Sequence, residues 1–133
     1  MKESINIEKT ILGPKVILDK ENEIFAFIGK SGVENADDFY KPVLAWFEDY
    51  FKNPNPKTEI NFYLEYLNSA SSVQIGKLLD LIENSISKSD ISINWIYDKD
   101  DEIMKETGKE FQYMYAMEFN FKENDEESEE LQF

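Results

Sequence analysis

The sequence predicts an α/β fold, a mixed β-sheet with helices packed on it, in the element order βββ-α-β-α-β-α-β. Two observations carry this prediction. Residues 4–28 hold three short apolar stretches divided by turn signals, the pattern of an antiparallel meander. Beyond residue 35, helical and strand periodicities alternate three times, the pattern of parallel crossover units. The 133 residues, 41% hydrophobic and 14% aromatic, suffice for one core and leave no room for a second. A single domain is therefore expected over residues 1–122, followed by a tail over 123–133.

The opening strands are expected at Ile5–Thr10, Lys15–Leu18 and Glu23–Ile28, separated by Gly13-Pro14 and by the polar run Asp19–Asn22. The "GKSG" of residues 29–32 lacks the spacing of a phosphate-binding loop and reads as a tight turn. Between Asn35 and Lys52, Phe39, Val43, Trp46, Phe47 and Tyr50 recur every three or four residues, which predicts a helix. Asn35 suits its N-cap, and Asp37 and Asp38 suit the positive end of its dipole. Pro42 lacks an N–H and crowds the Asp38 carbonyl, so a kink or a restart near Lys41 is expected. The helical spacing of Trp46, Phe47, Tyr50 and Phe51 favours core packing over a binding platform.

Ile60, Phe62, Leu64 and Tyr66 then alternate with Asn61, Tyr63 and Glu65 as a central strand. From Ser69 to about Ser87, the stripe Ile75, Leu78, Leu79, Ile82 and Ile86 predicts a second helix lying on the sheet. Residues 91–97 form another apolar strand. "DKDDE", residues 98–102, supplies an N-cap and an acidic first turn for a helix ending near Gly108. An EF-hand reading of the same acids fails, because Ile103 occupies the position that demands glycine. Residues 111–121 are expected as the last strand. The closing "KENDEESEELQF" places six acids in twelve positions and reads as a disordered acidic tail.

Composition excludes several function classes. Fourteen lysines and arginines against 28 acids give a formal charge of −14, which repels nucleic-acid phosphates and anionic lipid. With no cysteine and no histidine, the chain lacks thiol nucleophiles, the common Ser-His and Cys-His arrangements and most transition-metal ligand sets. A non-enzymatic role without a cofactor or metal is expected. No apolar run reaches the length of a signal peptide core or of a membrane helix, so a cytoplasmic location with no membrane insertion is expected.

The stretch "YLNSASS" joins the central strand to the second helix. Asn68 or Ser69 suits the helix N-cap, and Ser71 and Ser72 share this capping environment, so Asn68, Ser71 and Ser72 are expected as helix-cap and partner-binding residues. On a wheel of about 100° per residue centred on Ile75, Ser71 and Ser72 fall near the apolar stripe, whereas Ser69 lies about 120° away. Ser69 is thus the most accessible of the three hydroxyls. A phosphate there would meet helix N-terminal N–H groups, so the fold could hold it while its charge repelled a docked partner.

"ENADDFYKPVLAWFEDYF", "FYLEYLNSASSVQIGKLLDLIE" and "INWIYDKDDEIMKETGKEF" resemble, in order and spacing, the SiaC family of bacterial regulatory phosphoproteins. The resemblance runs from about Gly29 to Phe121. It implies a STAS-like fold similar to that of anti-anti-sigma factors, and a partner-switching role in place of catalysis. It implies a dedicated kinase, a PP2C-type phosphatase and a downstream target bound by the unmodified form; for some members that target is a diguanylate cyclase. The family's phosphoacceptor motif maps onto Tyr66, Leu67, Asn68 and Ser69. Serine stands where threonine is common, and Ala70 replaces a serine, which leaves Ser71 as the alternative acceptor and a constitutive, unmodified adaptor as the alternative role.

Overall fold

The computed structural model describes residues 3–125. Nine elements follow in the predicted order: β1 (Ile5–Ile7), β2 (Lys15–Asp19), β3 (Ile24–Ser31), α1 (Ala36–Tyr50), β4 (Lys57–Leu67), α2 (Ser69–Glu83), β5 (Asp90–Asp98), α3 (Glu102–Tyr115) and β6 (Phe119–Asn124). The six strands form one mixed sheet whose spatial order equals the chain order. β1, β2 and β3 pair antiparallel, and β3 through β6 pair parallel, with β4 central. Three successive crossovers advancing in one direction with the usual right hand place all three helices on the same face.

That face carries the core. Val16 and Leu18 of β2, Phe25 and Phe27 of β3, Ile60, Phe62 and Leu64 of β4, and Trp95 of β5 are all buried beneath the helices. From above, Val43, Trp46, Phe47 and Tyr50 of α1 and Ile75, Leu78, Leu79 and Ile82 of α2 close the layer. The aromatic cluster of α1 is core, as its spacing predicts: Phe25 lies 5.1 Å from Tyr50 and 5.9 Å from Trp46 between ring centroids.

Several boundaries depart from the sequence reading. β1 stops at Ile7, and residues 8–14 form a loop held by the Thr10 N–H donating to the Gly13 carbonyl at 3.0 Å. "GKSG" is no tight turn: β3 runs through Ser31. α1 passes Pro42 without a restart, and Pro42 lies on its exposed face, as does Asp38, whose carbonyl the ring crowds. α2 ends at Glu83 with Asn84 as C-cap, so Ile86 leaves the stripe and is exposed.

Gly108 does not end the third helix. A Cβ at this position would stand 2.4 Å from Trp95 Cδ1, so glycine serves there as the close approach of α3 to the sheet. α3 continues to Tyr115, so residues 111–115, expected as strand, are helical, and Ala116 in the left-handed conformation closes the helix. β6 then runs to Asn124, which makes Glu123 and Asn124 strand residues in place of tail; from residue 126 the expected acidic tail lies outside the described residues.

A β-bulge shapes the end of β4. Gly29 pairs with Leu64 but Lys30 pairs with Tyr66, so Glu65 is an extra residue in β4. Beyond it the alternation of β4 reverses while that of β3 continues: Leu67 joins its partner Ser31 on the helix side, and Tyr66, expected in line with Ile60 and Leu64, turns out to solvent.

Candidate functional site

The site is built where β3 and β4 end side by side and α2 begins. Asn68 is extended, with φ −80° and ψ 169°, and caps α2. Its Oδ1 accepts the Ser71 N–H at 2.8 Å, its Nδ2 donates to the Val33 carbonyl at 3.1 Å, and its own N–H donates to the Ser31 carbonyl at 3.0 Å. The first turn of α2 is thereby tied to β3 and to the segment after it. The N–H groups of Ser69 and Ala70, at the first two helical positions, have no carbonyl partner within the helix.

The structure separates the three serines as the wheel predicts. Ser69 is exposed, Ser72 is half-buried, and Ser71 is fully buried. The expected capping role of the Ser71 side chain is corrected: only its backbone N–H takes part in the cap. Its Oγ accepts from Ser31 Oγ at 2.8 Å, and Ser31 Oγ lies 2.7 Å from the Tyr40 hydroxyl. With the Ser31 proton given to Ser71, Tyr40 is left to donate to Ser31. Burial pushes the Tyr40 phenol up to about 12, partly opposed by the Ser31 hydrogen bond. Ser72 lines the groove between α2 and α3.

A groove of about 290 Å³ lies between the starts of α1 and α2, beside Ala70. Glu34, Asp37, Val73 and Gln74 line it, and Gln74 Nε2 donates to Asp37 Oδ1 at 2.5 Å, tying the two helices together. Val73 and Tyr66 are exposed apolar groups next to this turn, and Gly32 packs against the Tyr66 ring. Ala70, the residue after Ser69, thus borders a groove with acidic and apolar walls. No cluster of three potential metal-ligating side chains occurs among the described residues. With no histidine or cysteine in the chain, the Ser69 hydroxyl has no imidazole or thiolate beside it to activate it as a nucleophile.

The sequence reading missed Ser31 and Tyr40, because it ended β3 at Ile28 and took residues 29–32 as a turn, whereas Ser31 continues the inward row of Phe25 and Phe27. It also missed the Gln74–Asp37 tie, which joins residues 37 positions apart.

The fold and this turn define a small, one-sided α/β domain with an accessible serine at a rigidly capped helix start. The chain belongs to the SiaC family: the model described as "SiaC family regulatory phosphoprotein" matches residues 7–124. An uncharacterised protein of Pseudomonas aeruginosa is 28% identical over 99 residues, covering 74% of this chain and 79% of the relative. Among solved structures, the apo-SiaC crystal structure from Pseudomonas aeruginosa superposes with a TM-score of 0.80 at 22% identity, covering 91% of this chain and 99% of that one. A crystal structure of the diguanylate cyclase SiaD in complex with its activator SiaC, from the same organism, matches with a TM-score of 0.83 at 24% identity, covering 90% and 99%. At these identities the structural likeness establishes the fold. Among the described residues no helix is long and apolar enough to cross a membrane.

Proposed function

We propose that this chain is a non-enzymatic partner-switching protein of the cytoplasm, controlled by phosphorylation of Ser69. A cognate kinase adds the phosphate and a PP2C-type phosphatase removes it; the unmodified form binds a downstream signalling protein. The observation that supports this reading is the exposed Ser69 hydroxyl directly after the Asn68 cap, in a family of regulatory phosphoproteins. Ser71 is the weaker acceptor: its hydroxyl is buried and hydrogen-bonded, so a kinase would have to open the α2 start to reach it. The downstream target is a diguanylate cyclase, by analogy with the SiaD complex of the structural relative.

The switch acts locally. A phosphate adds roughly −1.5 to −2 charges, little beside the −14 already present. One residue from the groove that Glu34 and Asp37 line, it repels any acidic partner surface and withdraws the small, neutral contact that Ser69 offers. The free N–H groups of the first turn hold it without unfolding the domain.

Phosphopeptide mapping of the protein from its native cells is expected to place the phosphate on Ser69. Against the diguanylate cyclase of the same cells, Ser69→Asp is expected to bind about tenfold or more weakly, and Ser69→Ala as tightly as the wild type. A chain never modified at Ser69, whose Ser69→Asp variant binds normally, is instead a constitutive adaptor.

A further inference from the structure

None of the three helices covers the second face of the sheet, and strand register fixes what that face presents. Across its middle, Ile17, Ala26, Asn61 and Asn94 lie side by side on β2 to β5, with Ile28, Tyr63 and Ile96 in the neighbouring row. The asparagines are cross-linked: Asn94 Nδ2 donates to Asn61 Oδ1 at 2.8 Å and Asn120 Nδ2 donates to Asn94 Oδ1 at 3.3 Å. This centre is uncharged, and because Ala26, Asn61, Asn94 and Ile96 are themselves buried, its accessible surface comes from Ile17, Ile28, Tyr63 and Asn120.

The charges lie at its two ends, sorted by sign. Lys15, Lys30 and Lys122 stand at the end where the parallel strands finish; Asp19, Glu59 and Asp90 stand at the end where they start. Of the acids at the cationic end, Glu65 pairs with Lys9 at 3.4 Å, Asp98 accepts the Tyr63 hydroxyl, and Glu8 and Asp125 are exposed directly after β1 and β6. At the acidic end, Lys57 stands opposite Asp90 in register. A chain of net charge −14 repels its own copies over most of its surface, and this face is where a cation band and an acid band flank a neutral strip.

We propose that a second copy of this chain docks on this face, related by a two-fold axis running across the strands. That axis lays each copy's lysine band over the other's acid band and brings the two neutral strips together. An axis along the strands would stack lysine on lysine. Six strands about 4.8 Å apart and about five residues of 3.3 Å rise give a footprint of roughly 400 Å² per copy, about half that of a standard specific interface. The dimer is therefore weak, concentration-dependent and weakened by salt. This inference is independent of the switch at Ser69.

Sedimentation velocity on the full 15.6 kDa chain tests it, from about 1 to about 100 μM at low and high salt. A monomer–dimer equilibrium is expected, shifted toward monomer by salt. Lys122→Glu, on the exposed edge strand, is expected to weaken it about tenfold or more, and Ile28→Asp to abolish it. Tyr113→Lys, exposed on α3 on the opposite face, is expected to leave it unchanged. Monomer at every concentration in low salt overturns the proposal and leaves the face to another occupant. So does a dimer indifferent to Lys122→Glu, or one lost only in Tyr113→Lys.

Discussion

Ser31, Tyr40 and Ser71 form a buried hydroxyl chain that joins β3, α1 and α2 directly beneath the exposed Ser69. Each link is a modest hydrogen bond, but burial makes an unmade one costly. Tyr40→Phe keeps the ring and removes the donor to Ser31, so it is expected to cost about 1 kcal/mol in urea unfolding. The exposure of Ser69 was legible in the sequence because it follows from helical geometry and the position of the apolar stripe. The chain beneath it was not: Ser31 lies 40 residues from Ser71, within a glycine-flanked stretch that composition alone assigns to a turn.

At the scale of elements, glycine and proline were the residues most easily misread. Gly108 resembles a helix stop but is the point where α3 meets Trp95, whose Nε1 donates to the Met104 carbonyl at 2.9 Å. Gly108→Ala gains helix propensity of about 1 kcal/mol, yet its methyl collides with a fully buried indole. Overpacking of about 1 to 3 kcal/mol wins, and a lower melting temperature is expected. Pro42 is the converse case, an interior proline that an exposed helix face tolerates. Pro42→Ala restores a backbone hydrogen bond and is expected to stabilise the protein by about 1 to 3 kcal/mol, read as a raised urea midpoint. Existence and order of all nine elements were legible because periodicity marks them; their ends were set by packing partners distant in sequence.

For the molecule as a whole, alkaline pH exposes a shared dependence of its two faces. Tyr40 on the helix side and Tyr63 on the open side are both pushed up to about 12, from an ordinary value of 10.0. For Tyr63 the causes are burial and then the hydrogen bond and charge of Asp98, while for Tyr40 burial dominates. The unfolded chain loses these protons first, so between pH 10 and about 12 it binds fewer protons than the folded chain, and stability falls as pH rises. Below pH 10 the contribution is complete. Equilibrium unfolding followed through this window is expected to show the loss, and Tyr63→Phe to make it shallower. The topology that sets these faces apart was legible in the sequence, but the sorting of charge between the ends of the open face was not, since it depends on register. Register also gives the bulge at Glu65 a meaning beyond local geometry. Upstream of it even-numbered residues of β4 belong to the interior, and downstream odd-numbered ones do. The segment leading to the serine therefore works as a counting frame: flattening the bulge with all its residues kept would turn Leu67 to water and Tyr66 inward, whereas deleting Glu65 would remove the bulge and leave both where they are. The pairing of Lys30 with Tyr66, more than the length of the segment, is what homologues and grafted chimeras must keep here if the serine is to remain outside.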